Sequence, residues 1–195
     1  MPTYQVLKTL LKHMPELDFH KDNFMVVSPD EGAMSRNMYY SSVLGCNLGM
    51  FYKRRDYTRV VNGRNPIVAH EYLGESVEGK TVFIADDIIA SGESMLEVAG
   101  MLKARGAKHI ICNATFPLFT SGLKKFDAAV EEGVLTAVLG TNLTYRTPEL
   151  LERKWYFDVD CSKYCAYFVA AINHEMSVGS IIDPIKKIAA LLESR

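Results

Sequence analysis

The sequence predicts an α/β fold, a three-layer sandwich in which a mostly parallel twisted sheet carries helices on both faces. Three observations lead there. Short apolar runs alternate with stretches of helical spacing, the pattern of βαβ units with right-handed crossovers. Two of the runs end in acidic residues and a small-residue turn just before a helical pattern, which is where open α/β sheets bind ligands. At 195 residues, 48% of them hydrophobic, the chain is one domain with enough length to bury a core.

The chain opens on an amphipathic helix with Val6, Leu7, Leu10, Leu11 and Met14 on one face. The first strand is expected at residues 24–28, followed by Ser28-Pro29-Asp30-Glu31-Gly32-Ala33 and a helix over 33–44. Ser28 or Asp30 can cap that helix, and Gly32 with the helix start can also form an anion site. A second strand spans 47–52. It leads into a long polar connection, residues 53–80, which begins Lys53-Arg54-Arg55 and also carries Arg59 and Arg64. Asn62-Gly63, between Thr58-Arg59-Val60-Val61 and Pro66-Ile67-Val68-Ala69, is a hairpin signature. A basic, flexible β-hairpin beside an anion site would act as a lid that excludes water.

The third strand, 81–85, runs into Asp86-Asp87-Ile88-Ile89-Ala90-Ser91-Gly92-Glu93-Ser94 and a helix over 94–105, whose Met95, Val98, Ala99 and Leu102 form one apolar face. Ser94 and Glu97 have capping-box spacing, and Gly92 permits a tight turn and close approach of a ligand. First-turn N–H groups, which lack intrahelical partners, attract an anion, and the Ser91 and Ser94 hydroxyls can bond the same oxygens. Asp86 and Asp87 would repel a phosphate, so they suit the cis hydroxyls of a ribose or a Mg²⁺ bridging sugar and phosphate. An acid pair can also simply end a strand and cap a helix. Further strands are expected at 110–115, 134–139 and 155–159, with helices over 123–132, 161–174 and about 183–192.

Composition excludes several classes of function. Lys+Arg 22 against Asp+Glu 23, net charge −1, offers no bulk attraction for nucleic acid or a membrane surface. No apolar run is long enough to span a bilayer, and the first residues are not signal-like. Cys46, Cys112, Cys161 and Cys165 lack zinc-site spacing and read as reduced thiols of a cytoplasmic protein. His13, His20, His70, His109 and His174 read as surface residues.

The Asp86–Ser94 segment resembles the phosphoribosyl-diphosphate binding loop of the type I phosphoribosyltransferase fold, which is shared with ribose-phosphate pyrophosphokinase. The Ser28–Ala33 loop is similar to the diphosphate-binding segment of those synthetases, with Ala33 in place of a second Gly. Arg36 resembles a basic residue the family carries just beyond it. Lys53-Arg54-Arg55 looks like the opening of their catalytic loop, and Thr141-Asn142 like a Thr-Asn pair they carry. The resemblance runs from residue 24 to about 142 and points to the carboxy-terminal half of a synthetase. It departs at Ala90, where many purine transferases have an acid, at Ser91 and Ser94, which replace threonines, and at Glu93.

The resemblance implies transfer of the diphosphoryl group of ATP to ribose 5-phosphate with Mg²⁺. Asp86, Asp87, Ser91, Gly92, Glu93 and Ser94 would hold the ribose phosphate. Asp30, Glu31, Gly32 and Ala33 would hold the diphosphate, with Asp30 as the metal ligand. Lys53 and Arg55 are the expected catalytic cations, and Asn113, Thr115 and Phe116 could line the sugar, though Phe116 reads better as core. The expected partners are ribose 5-phosphate, phosphoribosyl diphosphate, ATP, and either further copies of the chain or a missing amino-terminal half. Met1 before Pro2-Thr3-Tyr4-Gln5 reads as a start placed on an interdomain segment, so a split or excised domain that turns over slowly alone is expected. The alternatives are a stand-alone transferase that consumes phosphoribosyl diphosphate and a non-catalytic domain that binds a ribose phosphate.

Overall fold

The computed structural model describes residues 2–55 and 67–193. Strands β1 (Phe24–Ser28), β2 (Asn47–Arg55), β3 (Ile67–Leu73), β4 (Thr81–Ile89), β5 (His109–Pro117), β6 (Ala137–Thr141) and β7 (Tyr156–Val159) form one sheet in the order β3-β2-β1-β4-β5-β6-β7. Every neighbouring pair is parallel except β2 and β3, which are antiparallel at one edge.

The central strands are buried on both sides, as a parallel sheet covered by crossover helices requires. In β4, Val82 and Ile84 point into one core while Phe83 and Ala85 point into the other, and all four are 0% exposed. Helices α3 (Glu93–Ala104) and α4 (Lys124–Glu131) cover the first face through Met95, Val98, Leu102 and Phe126. Helices α1 (Thr3–His13), α2 (Met34–Leu44) and α8 (Ile185–Glu193) cover the second through Val6, Leu7, Leu10, Tyr40, Leu44 and Ile188. The expected three-layer sandwich is therefore the observed fold. Short helices α5 (Pro148–Leu151) and α7 (Gly179–Ile182) flank β7 and α6 (Ser162–Asn173), and four residues are too few to show a helical period in sequence.

Three local expectations are corrected. First, β4 does not stop at residue 85. Pairing with β5 continues to Ile89↔Pro117, which places Asp86 and Asp87 inside the strand. Second, α3 starts at Glu93 with Gly92 as N-cap and no side-chain cap, so the Ser94/Glu97 capping box does not form. Third, Val134 and Leu135 are not in the strand but in the turn that closes α4. The Val134 N–H bonds the Ala129 carbonyl at 2.8 Å and the Gly133 N–H bonds that of Val130 at 3.0 Å, a Schellman closure with Gly133 at φ +69°. The β5–β6 ladder accordingly begins only at Ile111↔Ala137.

Gly92 fixes the turn between β4 and α3 in two ways. Its φ is +81°, and a Cβ there would lie 2.3 Å from Phe126 Cε2. The ring cannot retreat, because Phe126 is 0% exposed and packed between Phe119 and Trp155. Left-handed strain and overpacking together predict that Gly92→Ala lowers stability by about 2–4 kcal/mol. Urea unfolding should show a lower midpoint at unchanged slope, with a Phe126→Leu/Gly92→Ala double variant losing less than the sum of the single losses. A Gly92→Ala protein as stable as the parent would contradict this assignment.

Candidate functional site

The direction of winding reverses between β1 and β4: the chain passes from β1 to β2 on one side and from β4 to β5 on the other. A crevice opens at the carboxyl ends of strands at such a point. The β1–β4 ladder runs from Phe24↔Thr81 to Val26↔Phe83 and then ceases, although both strands continue. The backbone of Ala85 is thus left without a strand partner on the β1 side. Asn37, from the first turn of α2 and 0% exposed, supplies one. Its Nδ2 donates to the Ala85 carbonyl at 2.7 Å, and its Oδ1 accepts from the Ala85 N–H at 2.9 Å. The same Nδ2 reaches the Ala33 carbonyl at 2.9 Å and Ser28 Oγ at 3.3 Å. One side chain therefore ties the end of β1, the start of α2 and the residue preceding Asp86 together.

Asp86 and Asp87 meet a cation from the same helix. Arg36 Nη1 lies 3.4 Å from Asp86 Oδ1 and Nη2 lies 3.5 Å from Asp87 Oδ2. The Asp87 N–H donates to Asp86 Oδ1 at 2.8 Å. Burial pushes the Asp86 carboxyl up to about 6, and the neighbouring carboxyls of Asp87 and Asp30 add to the effect while the Asp87 N–H opposes it. Asp30 closes the turn into α2, its Oδ1 accepting from the Ala33 N–H at 3.0 Å, and Ser28 Oγ donates to the Asp30 carbonyl at 2.8 Å.

Helices α2 and α3 both begin without a side-chain cap, at Ala33 and Gly92. By contrast α5 is capped by Thr147, whose Oγ1 accepts from the Leu150 N–H at 3.2 Å. The first-turn N–H groups and positive dipole ends of α2 and α3 follow the two strands that flank the crevice, an arrangement that suits phosphate oxygens. Ser91, half-buried, and Ser94, exposed, are the hydroxyls at the start of α3.

Other expected residues fall elsewhere. Glu93 pairs with Lys125 Nζ at 2.6 Å, which directs its charge toward α4. Space beside Gly92 is taken by Phe126. Thr141 and Asn142 hold the framework. Thr141 Oγ1 donates to the Thr115 carbonyl at 2.6 Å, and Asn142 donates to Asp160 and Ser162 while accepting from the Cys161 N–H at 2.7 Å. Phe116 is 37% exposed and not core, because β5 outruns β6, whose ladder ends at Ala114↔Gly140. Asn113, 3% exposed and registered with Ala85 across β4–β5, leaves its Oδ1 without a partner among the described residues. Lys53 and Arg55 lie at the end of β2, opposite His70 and Ile67 of β3, and the middle of the expected lid, residues 56–66, lies outside the described residues. Glu31 and Gly32 are exposed in the turn after β1.

No cluster of three metal-ligating side chains occurs among the described residues. The carboxylates of Asp30, Asp86 and Asp87 are nevertheless hard oxygen donors of the kind Mg²⁺ takes one or two at a time alongside substrate phosphates. The residues present therefore fit a cation that arrives with its substrate.

A phosphoribosyl transferase domain model matches residues 3–128, and the chain belongs to that family. Among individual proteins, a ribose-phosphate pyrophosphokinase from Ralstonia nicotianae is 37% identical over 117 residues, covering 59% of this chain and 35% of its own. One from Thermococcus kodakarensis is 34% identical over 131 residues, covering 66% of this chain and 44% of its own. A crystal structure of phosphoribosylpyrophosphate synthetase from Mycobacterium smegmatis has the same fold, with TM-score 0.67 at 23% identity over 88% of this chain and 51% of that one. The chain thus spans less than half the length of these two curated relatives, and the resemblance read from the sequence motifs is borne out.

Two outcomes follow from this geometry. Asn37→Leu keeps the side-chain size but strands the buried Ala85 N–H and carbonyl, so chemical denaturation should show a loss of about 2–4 kcal/mol; a neutral result would mean another group takes over both bonds. Asp86 binds its proton more tightly folded than unfolded, so its ionisation weakens the fold as pH rises from about 4 to about 6. Asp86→Asn should therefore be more stable than the parent at pH 8 by on the order of 1–2 kcal/mol, with the gain fading as pH falls toward 4. A less stable variant at pH 8 would show that the Arg36 contacts outweigh the cost of burial.

Proposed function

We propose that this chain is the ribose-phosphate-binding domain of a ribose-phosphate diphosphokinase, the enzyme that moves the β,γ-diphosphoryl group of ATP to the 1-hydroxyl of ribose 5-phosphate and releases AMP. The observation that carries this reading is the crevice between β1 and β4, where an acid pair lies between two uncapped helix starts. An acid pair alone would repel phosphate, and helix starts alone would bind any anion. Together they match a ligand with vicinal hydroxyls at one end and phosphates at the other.

In this reading the 5-phosphate sits on the first turn of α3, bonded by backbone N–H groups and by Ser91 and Ser94. Asp86 and Asp87 accept the ribose 2- and 3-hydroxyls. Arg36 bridges the two carboxylates and offsets their mutual repulsion. Asp30, at the start of α2, would hold Mg²⁺ on the diphosphate, and the cation would neutralise charge on the transferring group. Glu31 and Gly32 would bring backbone donors to the same oxygens, while the Ala33 N–H keeps Asp30 in place by donating to its Oδ1. Lys53 and Arg55, on the strand that leads toward residues 56–66, would add positive charge as the bond between the α-phosphate oxygen and the β-phosphorus breaks. Little covalent chemistry falls to the protein, so positioning and electrostatic stabilisation supply the rate. The adenine pocket and further subunits would come from beyond this chain.

Calorimetric titration with ribose 5-phosphate and Mg²⁺ tests the reading. Binding is expected, and it should vanish in Asp86→Asn/Asp87→Asn. Tight binding of phosphoribosyl diphosphate with none of ribose 5-phosphate would reassign the chain to the transferases that consume it, and no binding of either would overturn the site. Where turnover with ATP is measurable, Lys53→Ala should lower kcat by at least about 100-fold while leaving ribose 5-phosphate affinity nearly unchanged.

A further inference from the structure

The start of α4 backs the turn between β4 and α3, and three consecutive residues there each reach a different group. Lys125 Nζ lies 2.6 Å from Glu93 Oε1, and the Phe126 ring takes the space beside Gly92. Asp127 ties the helix to the segment that leads into β7. Its Oδ1 accepts from Trp155 Nε1 at 2.8 Å and from Arg153 Nε at 3.0 Å, and its Oδ2 accepts from Arg153 Nη2 at 3.1 Å. Lys125 is therefore presented to the turn from an anchored helix, one residue from the ring that shapes the same turn.

Glu93 needs such a restraint. It is the first residue of α3, Gly92 supplies no capping side chain, and the Glu93 N–H makes a long contact, 3.4 Å, to Ser91 Oγ. A carboxylate at that position is drawn by the helix dipole toward the first-turn N–H groups. There it would compete with a phosphate for the same donors and repel it as well. The Lys125 ammonium offers the carboxylate another partner and holds its carboxyl below the usual carboxylate range, by a hydrogen bond and by charge. Glu93 is thus anionic at neutral pH yet directed toward α4. Folding gains little from the pair, because the two side chains are 56% and 66% exposed and exposed ion pairs contribute weakly to stability.

We infer that Lys125 is a positioning residue of the proposed phosphate site, which keeps the start of α3 open to an anionic ligand by holding the Glu93 carboxylate away from it. The inference rests on the ribose-phosphate reading of the crevice and adds to it a residue 32 positions along the chain from Glu93. Lys125 acts through Glu93 and touches no ligand itself. Its effect on binding therefore requires its charge, disappears when residue 93 is neutral, and is screened by salt, since the pair is exposed.

The test is calorimetric titration with ribose 5-phosphate and Mg²⁺ at low ionic strength, comparing the parent with a set of charge variants. Lys125→Gln should weaken binding by about threefold or more, and Lys125→Arg, which keeps the charge, should bind like the parent. Glu93→Gln should bind at least as tightly as the parent, and Glu93→Gln/Lys125→Gln should match Glu93→Gln. That rescue is one that a merely structural role for Lys125 would not give. Lys124→Gln, the same charge change on the exposed neighbour, should leave affinity nearly unchanged. The loss in Lys125→Gln should shrink when salt is raised to about 0.5 M. No binding by the parent would overturn the reading of the crevice, and this role with it. With a parent that binds, three results would overturn the role of Lys125 and leave the crevice standing: an unaffected Lys125→Gln, an equal loss from Lys125→Gln in the Glu93→Gln background, or equal losses in Lys124→Gln and Lys125→Gln.

Discussion

The pairing of Asn37 with both backbone groups of Ala85 is the constraint on which the rest of the crevice depends. Where the β1–β4 ladder ends, the two parallel strands part to open the crevice, and each exposes backbone donors and acceptors that would otherwise need water. The carboxamide of Asn37 is a two-sided substitute for a strand edge, donating at 2.7 Å and accepting at 2.9 Å. It allows the strands to part without leaving a buried polar group unmatched, a defect that costs about 1–3 kcal/mol per group. Because Asn37 also bonds the Ala33 carbonyl and Ser28 Oγ, the start of α2 and the end of β1 are set relative to Asp86 by the same side chain. The distance between the two helix starts is thereby fixed from within the fold.

That rigidity extends to the α3 side. The turn after β4 is held by Gly92 against the Phe126 ring and by hydrogen bonds from the Leu118 and Phe119 N–H groups to the Ile89 carbonyl and from the Thr120 N–H to the Ala90 carbonyl. The two described loops that border the crevice, after β1 and after β4, are therefore anchored to core or to neighbouring backbone. Such anchoring lets binding energy orient the ligand instead of ordering the protein. Glu93 shows the same economy of design. Its carboxylate follows the turn proposed to bind phosphate, where a negative charge would be unfavourable, and the Lys125 ammonium at 2.6 Å draws it aside.

The sequence shows the sheet well and the site only partly. The fold class follows from alternating periodicities, and the β4 run could hardly be anything but a buried strand, because Val82, Phe83, Ile84 and Ala85 are apolar toward both faces. The end of that strand was not legible. It depends on how far β5 extends, and Ile89↔Pro117 is a pairing that no local window contains. The capping box at Ser94 and Glu97 failed for a related reason: Gly92, in the left-handed conformation, starts the helix before Ser94 can act as the cap. Asn37 was missed altogether. An asparagine inside a helical pattern reads as a mediocre helix former, and its partner lies 48 residues away. The acid pair and its glycine turn were legible as a site because carboxylates, small residues and a helix start coincide within one short segment. The contact with Arg36, 50 residues distant, was open only to an analogy of motifs.

The electrostatics of the acid pair bear on how such a site would work. In the described structure Asp86 is partly buried, and its carboxyl is held near 6, well above the usual carboxylate range. The Arg36 contacts at 3.4 and 3.5 Å are long for charge-assisted hydrogen bonds, which favour about 2.7–2.9 Å, so the guanidinium screens the pair without saturating its lone pairs. An ionised carboxylate that is desolvated and under-bonded is poised to accept hydrogen bonds from any donor that enters. A sugar with two adjacent hydroxyls would supply those donors at the right end of the crevice, whereas a bare phosphate would supply none. Discrimination in favour of a hydroxyl-bearing ligand can therefore arise from a modest destabilisation of the empty site, without any residue that moves.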